Sequence, residues 1–249
     1  MKSLAKTLDI LEYIFNKNGA PATPGEVAEN IEINAATCSR IIGELAGRGY
    51  IERVSRRSGY IPGPVLYALN LRRSPYGNIA VASREPIKKL AGELSTIINI
   101  SVMKDACRYM LYFYTANPNK KFGLWTEYFT DHYSTATGRL LLSVASPEEI
   151  DFVIKKLGLP KGEWNGIKTK DALLKELAGI AKSGFVKYPQ NDIWVVGRIF
   201  KAPGYPHAAI GFGVETEEKA DLALSLLEKT VSDIERNLSL NNEEKLSFY

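Results

Sequence analysis

The stretch from Thr23 to Arg48, TPGEVAENIEINAATCSRIIGELAGR, decides the fold of the N-terminal part of the chain. Thr23 and Glu26 have the spacing of a capping box and predict the start of a short helix. Asn34 is a good N-cap for a second helix that runs to about Arg48. A helix, a short turn and a second helix in this order predict a helix-turn-helix motif.

The second helix of this motif has two different faces. Its apolar residues recur at helical spacing and predict a buried face formed by Cys38, Ile41, Ile42 and Leu45. The opposite face carries small residues and Arg40, which suits entry into the major groove of DNA. Arg40 has three possible roles, which are reading a guanine, contacting a phosphate, or pairing with Glu44. We predict DNA contacts from Thr23, Asn34, Ala35, Ala36, Thr37, Ser39, Arg40 and Arg48.

Two further elements flank the motif. Residues 3–18 are predicted to be helical, because apolar residues recur there at helical spacing: Leu4, Leu8, Leu11, Ile14 and Phe15. Residues 50–54 and 60–61 predict a hairpin after the motif, the position of a wing that touches phosphate or the minor groove. Between Arg48 and Arg73 there are six arginines and one acidic residue, so the net charge is 6 − 1 = +5. We predict DNA contacts from the wing residues Arg56, Arg57 and Tyr60.

The composition limits the class of protein. The chain has 249 residues, 45% of them hydrophobic and 24% charged, which fits two globular domains. Its apolar runs are far shorter than the roughly 20 residues of a membrane span, and its N-terminus has no apolar signal region. Two cysteines cannot form a disulfide framework. We therefore expect a cytoplasmic protein that has no membrane partner.

The rest of the chain alternates strands and helices. We expect a linker helix over residues 65–74, broken by Pro75-Tyr76-Gly77. The predicted strands cover residues 97–103, 108–115, 122–129 (as strand or loop), 193–200 and 208–214. The predicted helices cover residues 83–95, 138–145, 171–183 and 220–238. Strands grouped with flanking helices predict an α+β domain.

The sequence predicts no catalytic or metal site. His132 and His207 lie far apart, and neither is near a cysteine at metal-ligand spacing. Cys107 is a lone cysteine without a histidine close in sequence to act as its general base. We therefore expect no enzyme activity, metal or cofactor, and an enzyme that uses Cys107 is the less favoured alternative.

Several segments resemble the IclR family (isocitrate-lyase-regulator type) of transcriptional regulators. The similar segments are residues 3–11 (SLAKTLDIL), 36–42 (ATCSRII), 60–66 (YIPGPVL), 86–94 (PIKKLAGEL) and 135–142 (TATGRLLL). The resemblance implies a winged helix-turn-helix domain over residues 1–64, a linker helix over 65–77 and a GAF-like effector-binding domain over 78–249. It also implies a small-molecule effector, usually an organic acid.

The predicted effector site lies beside the loop from Ser134 to Gly138. Hydroxyl groups there precede a helix whose first N–H groups and dipole favour an anion. The resemblance adds residues 195, 196, 211 and 213, while Tyr112 or Trp194 would cover the ligand and Arg139 or Arg198 would pair with its carboxylate. The predicted ligand-binding residues are Ser134, Thr135, Ala136, Thr137, Gly138, Tyr112, Trp194, Val195, Val196, Gly211 and Gly213.

This site departs from the family pattern. The family commonly has serines where this chain has Gly211 and Gly213, a cysteine near Val195 or Val196, and acidic residues near 188–191. The resemblance therefore implies a pocket that is more open and less polar than usual. The alternative is a constitutive DNA-binding protein with a degenerate effector domain, in which the hydroxyls of the loop only cap the helix.

DNA binding implies an oligomer. Two recognition helices must reach major grooves about 34 Å apart, and a two-fold symmetric operator requires a symmetric protein. We expect a homodimer or homotetramer whose contacts come from the opening helix and the linker helix.

The first prediction is that residues 1–73 carry essentially all of the affinity for DNA. Their arginines replace condensed counterions on the phosphates, so binding by the full chain should weaken steeply with salt. A gel-shift titration at several salt concentrations, with residues 76–249 as the comparison, tests this. Tight, salt-sensitive binding by residues 76–249 alone would contradict it.

Overall fold

The computed structural model describes residues 2–17, 19–55, 57–70, 74–117, 128–164 and 166–246. The chain divides between Arg73 and Ser74 into two compact units. Some predicted features lie outside the described residues, namely Asn18, Arg56, Arg72, Arg73 and residues 122–127.

The first unit is a winged helix-turn-helix, as predicted. Its helices are α1 (Lys2–Asn16), α2 (Pro24–Asn30), α3 (Ala35–Gly47) and α4 (Pro64–Asn70). Strands β1 (Ile51–Ser55) and β2 (Gly59–Pro62) pair antiparallel and form the wing. The buried side chains of this unit include Ile10, Ile14, Val27, Cys38, Ile42 and Ile51. Leu4 and Leu8, which share the helical spacing of α1, are exposed by 67% and 48%.

Glu26 joins α1 to α2. Its carboxylate accepts hydrogen bonds from Lys17 Nζ at 2.6 Å and from Tyr13 Oη at 2.9 Å. It also accepts the backbone N–H of Thr23, whose hydroxyl in turn accepts the N–H of Glu26, so the predicted capping box is present. Hydrogen bonds from Lys17 and Tyr13 hold the pKa of Glu26 below its usual value. The start of the helix-turn-helix is therefore fixed by one carboxylate.

The wing is attached to the segment before α2. Ala22 and Tyr60 exchange two backbone hydrogen bonds, of 2.9 and 2.8 Å. Gly59 precedes Tyr60 and has φ +96°, a backbone conformation that residues with a Cβ atom rarely adopt. A Cβ atom at Gly59 would also overlap the backbone carbonyl of Ala22. Only glycine therefore fits where the wing meets this segment.

The second unit is an α+β domain around one antiparallel sheet. Its strands are β3 (Ile97–Lys104), β4 (Cys107–Thr115), β5 (Tyr128–Phe129), β6 (Phe185–Gln190), β7 (Ile193–Phe200) and β8 (Ala208–Val214). They lie in the order β5-β4-β3-β8-β7-β6. The helices are α5 (Pro75–Leu94), α6 (Ala136–Ser143), α7 (Pro147–Leu157), α8 (Lys170–Ser183) and α9 (Glu217–Leu246).

Helices cover both faces of this sheet. On one face, α5 and α9 bury the largest apolar cluster, which includes Ile87, Ile98, Ile210 and Leu227. On the other face, α6 packs on β7 and β8 through Leu140 and Ala136, and α8 packs on β6. Among the described residues, the structure has no helix with the length and apolarity needed to cross a membrane.

Three expectations about secondary structure are wrong. Pro75 begins α5 instead of breaking a helix, because Ser74 caps it and the missing N–H of a first-turn proline removes no helical hydrogen bond. Helix α6 begins at Ala136 instead of Gly138, because the Thr135 hydroxyl accepts the Gly138 N–H. Strand β6 was not predicted, because its sequence, FVKYPQ, contains a proline and polar residues.

We predict that Gly59→Ala destabilises the first unit by more than about 1 kcal/mol, since the new methyl group requires a strained backbone and displaces Ala22. Thermal unfolding followed by circular dichroism measures this. The matched control is Gly43→Ala in α3, where an added Cβ meets nothing within 4 Å. It should stabilise the unit by about 0.5–1 kcal/mol. Equal melting temperatures for the two variants would contradict the role given to Gly59.

Candidate functional site

Helix α3 presents a surface of small side chains. Asn34 Oδ1 accepts the backbone N–H of Ala36 at 2.9 Å and that of Thr37 at 3.4 Å, which fixes the start of the helix. Cys38, Ile41, Ile42 and Leu45 are buried, as predicted. The exposed residues of α3 include Ala35, Ala36, Ser39, Arg40 and Gly43, and Thr37 is half-buried. This face has the shape and the single cation that a major groove accommodates.

Arg40 and Arg48 differ in their surroundings. Glu44 pairs with Arg48, with 2.6 Å between Oε1 and Nε, and both side chains are about two-thirds exposed, at 66% and 69%. Glu44 is therefore engaged by Arg48 and not by Arg40. Within the described part of the chain, Arg40 has no ion-pair partner. Its charge is available to DNA, whereas the charge of Arg48 is partly compensated.

The wing presents a second basic group. The Ser55 hydroxyl accepts the backbone N–H groups of Arg57 and Ser58 at 3.2 and 2.8 Å and so shapes the turn. The Arg57 side chain is exposed at this tip. Tyr60 is half-buried, and its ring lies 5.9 Å from the guanidinium carbon of Arg53. Of the predicted DNA contacts, Thr23 and Tyr60 thus have structural roles as well, in the α2 cap and in the bridge to Ala22.

The second unit contains a cavity of about 330 Å³ beside the start of α6. This volume lies at the lower end of the range for small-molecule sites. The residues that line it are Asn99, Arg108, Met110, Phe129, Asp131, Ser134, Thr135, Ala136, Thr137, Gln190, Ile193, Val195, Gly211, Phe212 and Gly213.

The structure brings seven of the predicted ligand-binding residues to this cavity. They are Ser134, Thr135, Ala136, Thr137, Val195, Gly211 and Gly213. Tyr112, Trp194 and Val196 belong instead to the apolar cluster under α5 and α9. Successive side chains of a strand point to opposite faces, so Trp194 and Val196 face away from the cavity that Val195 lines. Gly138 packs against the backbone of His132.

The hydroxyl groups before α6 shape its first turn. The Thr135 hydroxyl donates to the Asp131 carbonyl at 3.0 Å and accepts the Gly138 N–H at 3.2 Å. The Ser134 hydroxyl donates to the same carbonyl at 3.4 Å. The Thr135 hydroxyl therefore caps the helix, and both hydroxyls donate to the Asp131 carbonyl. The N–H groups of Ala136 and Thr137 begin the helix at the cavity wall, where first-turn N–H groups lack helical partners and attract anions.

Two glycines let α6 approach the sheet. A Cβ at Gly211 would lie 2.8 Å from Thr137 Cγ2, and one at Gly197 would lie 2.9 Å from Ala136 Cβ. A Cβ at Gly213 would lie 2.7 Å from Ile193 Cδ1. The space left by Gly211 and Gly213 is thus taken largely by Thr137 and Ile193. The two glycines therefore do not open the pocket, although the resemblance implied a more open one.

A charged network in the wall of the cavity was not predicted. Arg108 is 4% exposed and donates from Nε and Nη2 to the two Asp131 oxygens, at 2.8 and 2.6 Å. Its Nη1 donates to Ser101 Oγ at 2.7 Å. Ser101 donates to Asn99 Oδ1 at 3.2 Å, and Asn99 donates to the Gly211 carbonyl at 2.9 Å. The cavity is therefore more polar than expected.

One sequence signal for this network was available. Asn99 and Ser101 interrupt the apolar run over residues 97–103, and a buried polar side chain in a strand needs a partner. The arginines proposed to meet a carboxylate lie elsewhere. Arg198 pairs with Glu228 at 3.4 Å, and the guanidinium of Arg139 lies over the rings of Trp164 and Tyr188.

Cys107 is buried, and its Sγ lies 3.8 Å from Lys156 Nζ. His132 contacts the carbonyl of Ala106, the residue before Cys107, through Nε2 at 3.0 Å. In the part of the chain that the structure describes, no three histidine, cysteine, aspartate or glutamate side chains form a metal-binding group.

Comparison with known proteins supports the sequence resemblance. The model of the IclR helix-turn-helix domain matches residues 3–55. The HTH-type transcriptional regulator BhcR of Paracoccus denitrificans is 23% identical over 247 residues, which cover 96% of this chain and 86% of that protein.

Two solved structures share the fold along nearly the whole chain. An IclR homolog from Microbacterium hydrocarbonoxydans, complexed with 4-hydroxybenzoate, has a TM-score of 0.79 and 19% identity, with 96% of this chain and 99% of that chain covered. IclR of Thermotoga maritima has a TM-score of 0.67 and 23% identity, with the same coverage of 96% and 99%. The family resemblance is confirmed, and residues 3–55 are an IclR helix-turn-helix domain.

We predict different effects for Arg40→Ala and Arg57→Ala. Loss of Arg40 from the α3 face should change the preference among operator variants, by about 1–3 kcal/mol at the base pair that it reads. Loss of Arg57 from the wing should weaken binding to all variants alike and lower the salt dependence. Fluorescence anisotropy with a set of single-substitution operators measures both. An Arg40→Ala variant that weakens every operator equally would exclude base reading.

Proposed function

We propose that this chain, with an IclR helix-turn-helix domain and the fold of the IclR regulators, is a ligand-responsive transcriptional regulator. It binds a two-fold symmetric DNA operator as a homodimer or homotetramer and senses a small organic acid. The observation that carries the proposal is the exposed face of α3, where Arg40 stands among small residues and forms no ion pair with any described residue, with the basic wing in the same unit.

Exposed apolar side chains support an oligomer. Leu4 and Leu8 lie one helical turn apart on α1 and are exposed by 67% and 48%, and Leu69 on α4 is exposed by 44%. Large apolar residues grouped on a surface mark interaction sites. We propose that α1 and α4 supply the contacts between protomers, which places two α3 helices on successive major grooves, about 34 Å apart.

An anionic ligand suits the cavity beside α6. The Ala136 and Thr137 N–H groups begin the helix at its wall, and a helix N-terminus favours negative charge. Asp131 already occupies the Nε–Nη2 edge of the Arg108 guanidinium, and Ser101 accepts from Nη1, so the charge of Arg108 is compensated. We propose that the carboxylate of the ligand meets the helix N-terminus, while Asn99 and Gln190 contact its body. The complex of the Microbacterium homolog with 4-hydroxybenzoate, an organic acid, supports this ligand class.

The test of regulation uses the full chain and DNA from upstream of its own coding sequence. Footprinting should show a two-fold symmetric protected site, and an organic acid that binds the protein should shift the affinity for this site. A protein whose DNA affinity is the same with every acid that it binds would be a constitutive DNA-binding protein instead.

We predict that Thr137→Val weakens binding of the organic acid about tenfold, because it removes a hydroxyl group from the cavity wall and keeps the shape of the side chain. Calorimetry against a panel of small carboxylates measures the affinity. The matched control is Thr230→Val, which removes a buried hydroxyl from α9, outside the cavity. Equal affinities for the two variants would place the ligand elsewhere.

A further inference from the structure

A second cavity in the same unit surrounds Arg139. Its volume is about 610 Å³, and its lining residues are Arg139, Gly162, Glu163, Trp164, Tyr188, Pro189, Gln190 and Asn191. Among the described residues, it shares only Gln190 with the lining of the first cavity. Apart from Gln190, its polar side chains are not used by the function proposed above.

Arg139 is a buried cation without a matching anion. The residue is 6% exposed, and its guanidinium carbon lies 4.4 Å from the Trp164 ring centroid and 3.8 Å from that of Tyr188. Nε donates to the Tyr133 carbonyl at 2.9 Å, and Nη2 donates to the Glu163 carbonyl at 2.8 Å. Within the described ranges, no carboxylate forms an ion pair with it and no acceptor is bound to Nη1.

The carboxylates near Arg139 do not fill this role. Glu176 is close enough to favour the charged form of Arg139, but it makes no ion pair with it. Glu163 stands at the rim, where its carboxylate accepts the Lys161 backbone N–H at 2.6 Å. Burial lowers the pKa of Arg139, as expected for a charge that lacks full compensation. A buried guanidinium is stabilised when a carboxylate or phosphate completes its hydrogen bonds.

Two other polar groups beside Arg139 also lack partners among the described residues. They are Tyr188 Oη and Gln190 Oε1, and both atoms are buried. Burial raises the pKa of Tyr188 to about 12, so its hydroxyl keeps its proton at neutral pH and can donate it. The Gln190 oxygen accepts but cannot donate. Buried polar groups without partners are rare, and each carries a free-energy cost until a partner arrives.

We propose that the Arg139 cavity is a second ligand site, for a small hydroxycarboxylic acid. The carboxylate of the ligand takes the free edge of the Arg139 guanidinium and the Tyr188 hydroxyl, and its own hydroxyl donates to Gln190 Oε1. Each of the three incomplete groups then gains a partner. This proposal does not depend on the ligand proposed for the first cavity, because it rests on the charge of Arg139, which is not among the residues that line that cavity.

The two sites are nevertheless close in the fold. Helix α6 places Ala136 and Thr137 at the first cavity and Arg139, one turn later, at the second. Gln190, at the end of β6, borders both. A ligand in either cavity therefore contacts the same helix and the same strand end.

The experiment uses the full-length protein with glycolate as the probe and inorganic phosphate as a second oxyanion. Ligand at the proposed site lies beside Trp164, so glycolate should change the tryptophan fluorescence, and Trp164→Phe should remove this change. Tyr188→Phe should weaken glycolate binding about tenfold, because it removes one donor to the carboxylate. Since Tyr188 Oη has no partner in the free protein, this variant should keep its melting temperature.

Two controls separate the alternatives. Tyr112→Phe is the matched substitution on the other face of the sheet and should leave glycolate affinity unchanged, as should Thr137→Val, which alters the first cavity only. Three results would each overturn the proposal. The wild type does not respond to glycolate, Tyr188→Phe binds glycolate with unchanged affinity, or Thr137→Val causes the loss of affinity instead. A phosphate affinity that Tyr188→Phe leaves unchanged would overturn it too, because phosphate would then be held only by a nonspecific attraction to positive charge.

Discussion

The close packing of α6 on strands β7 and β8 is the constraint on which both cavities depend. Gly197 and Gly211 have no side chains, so Ala136 and Thr137 rest almost directly on the strand backbones. This contact fixes the depth and the rotation of the helix. Because of it, the first turn of α6 opens into one cavity while Arg139, on the next turn, reaches the other. A bulkier residue at either glycine would lift the helix and change both.

Asp131 connects this helix to the sheet. Its side chain holds Arg108, which is linked through Ser101 and Asn99 to the carbonyl of Gly211. Its backbone carbonyl accepts the hydroxyls of Ser134 and Thr135 at the start of α6. The side chain and main chain of one residue thus tie the helix start to three adjacent strands, β4, β3 and β8. This arrangement gives the cavity a polar wall whose charges are already balanced.

Sequence reasoning predicted the first unit well because its signals are local. The capping box at Thr23, the Asn34 cap and the spacing of Cys38, Ile41, Ile42 and Leu45 are each read within one helix. Seven ligand-site residues also meet at the predicted cavity. The errors concern pairings between distant segments. The face of the sheet that Trp194 occupies depends on the register of β7. The partner of Arg108 lies 23 residues away along the chain. No local sequence pattern showed either of these.

The pairing of Arg48 with Glu44 has a consequence for how such a protein would search a genome. A guanidinium that is compensated within its own helix adds little to the attraction toward DNA of arbitrary sequence, which depends on the number of free cations near the phosphates. Among the described residues, Arg40 and Arg57 form no ion pair and contribute to this attraction. Brief nonspecific contacts favour rapid sliding and hopping. An exposed ion pair of this kind contributes at most about 1 kcal/mol, so Arg48 can exchange Glu44 for a phosphate at little cost.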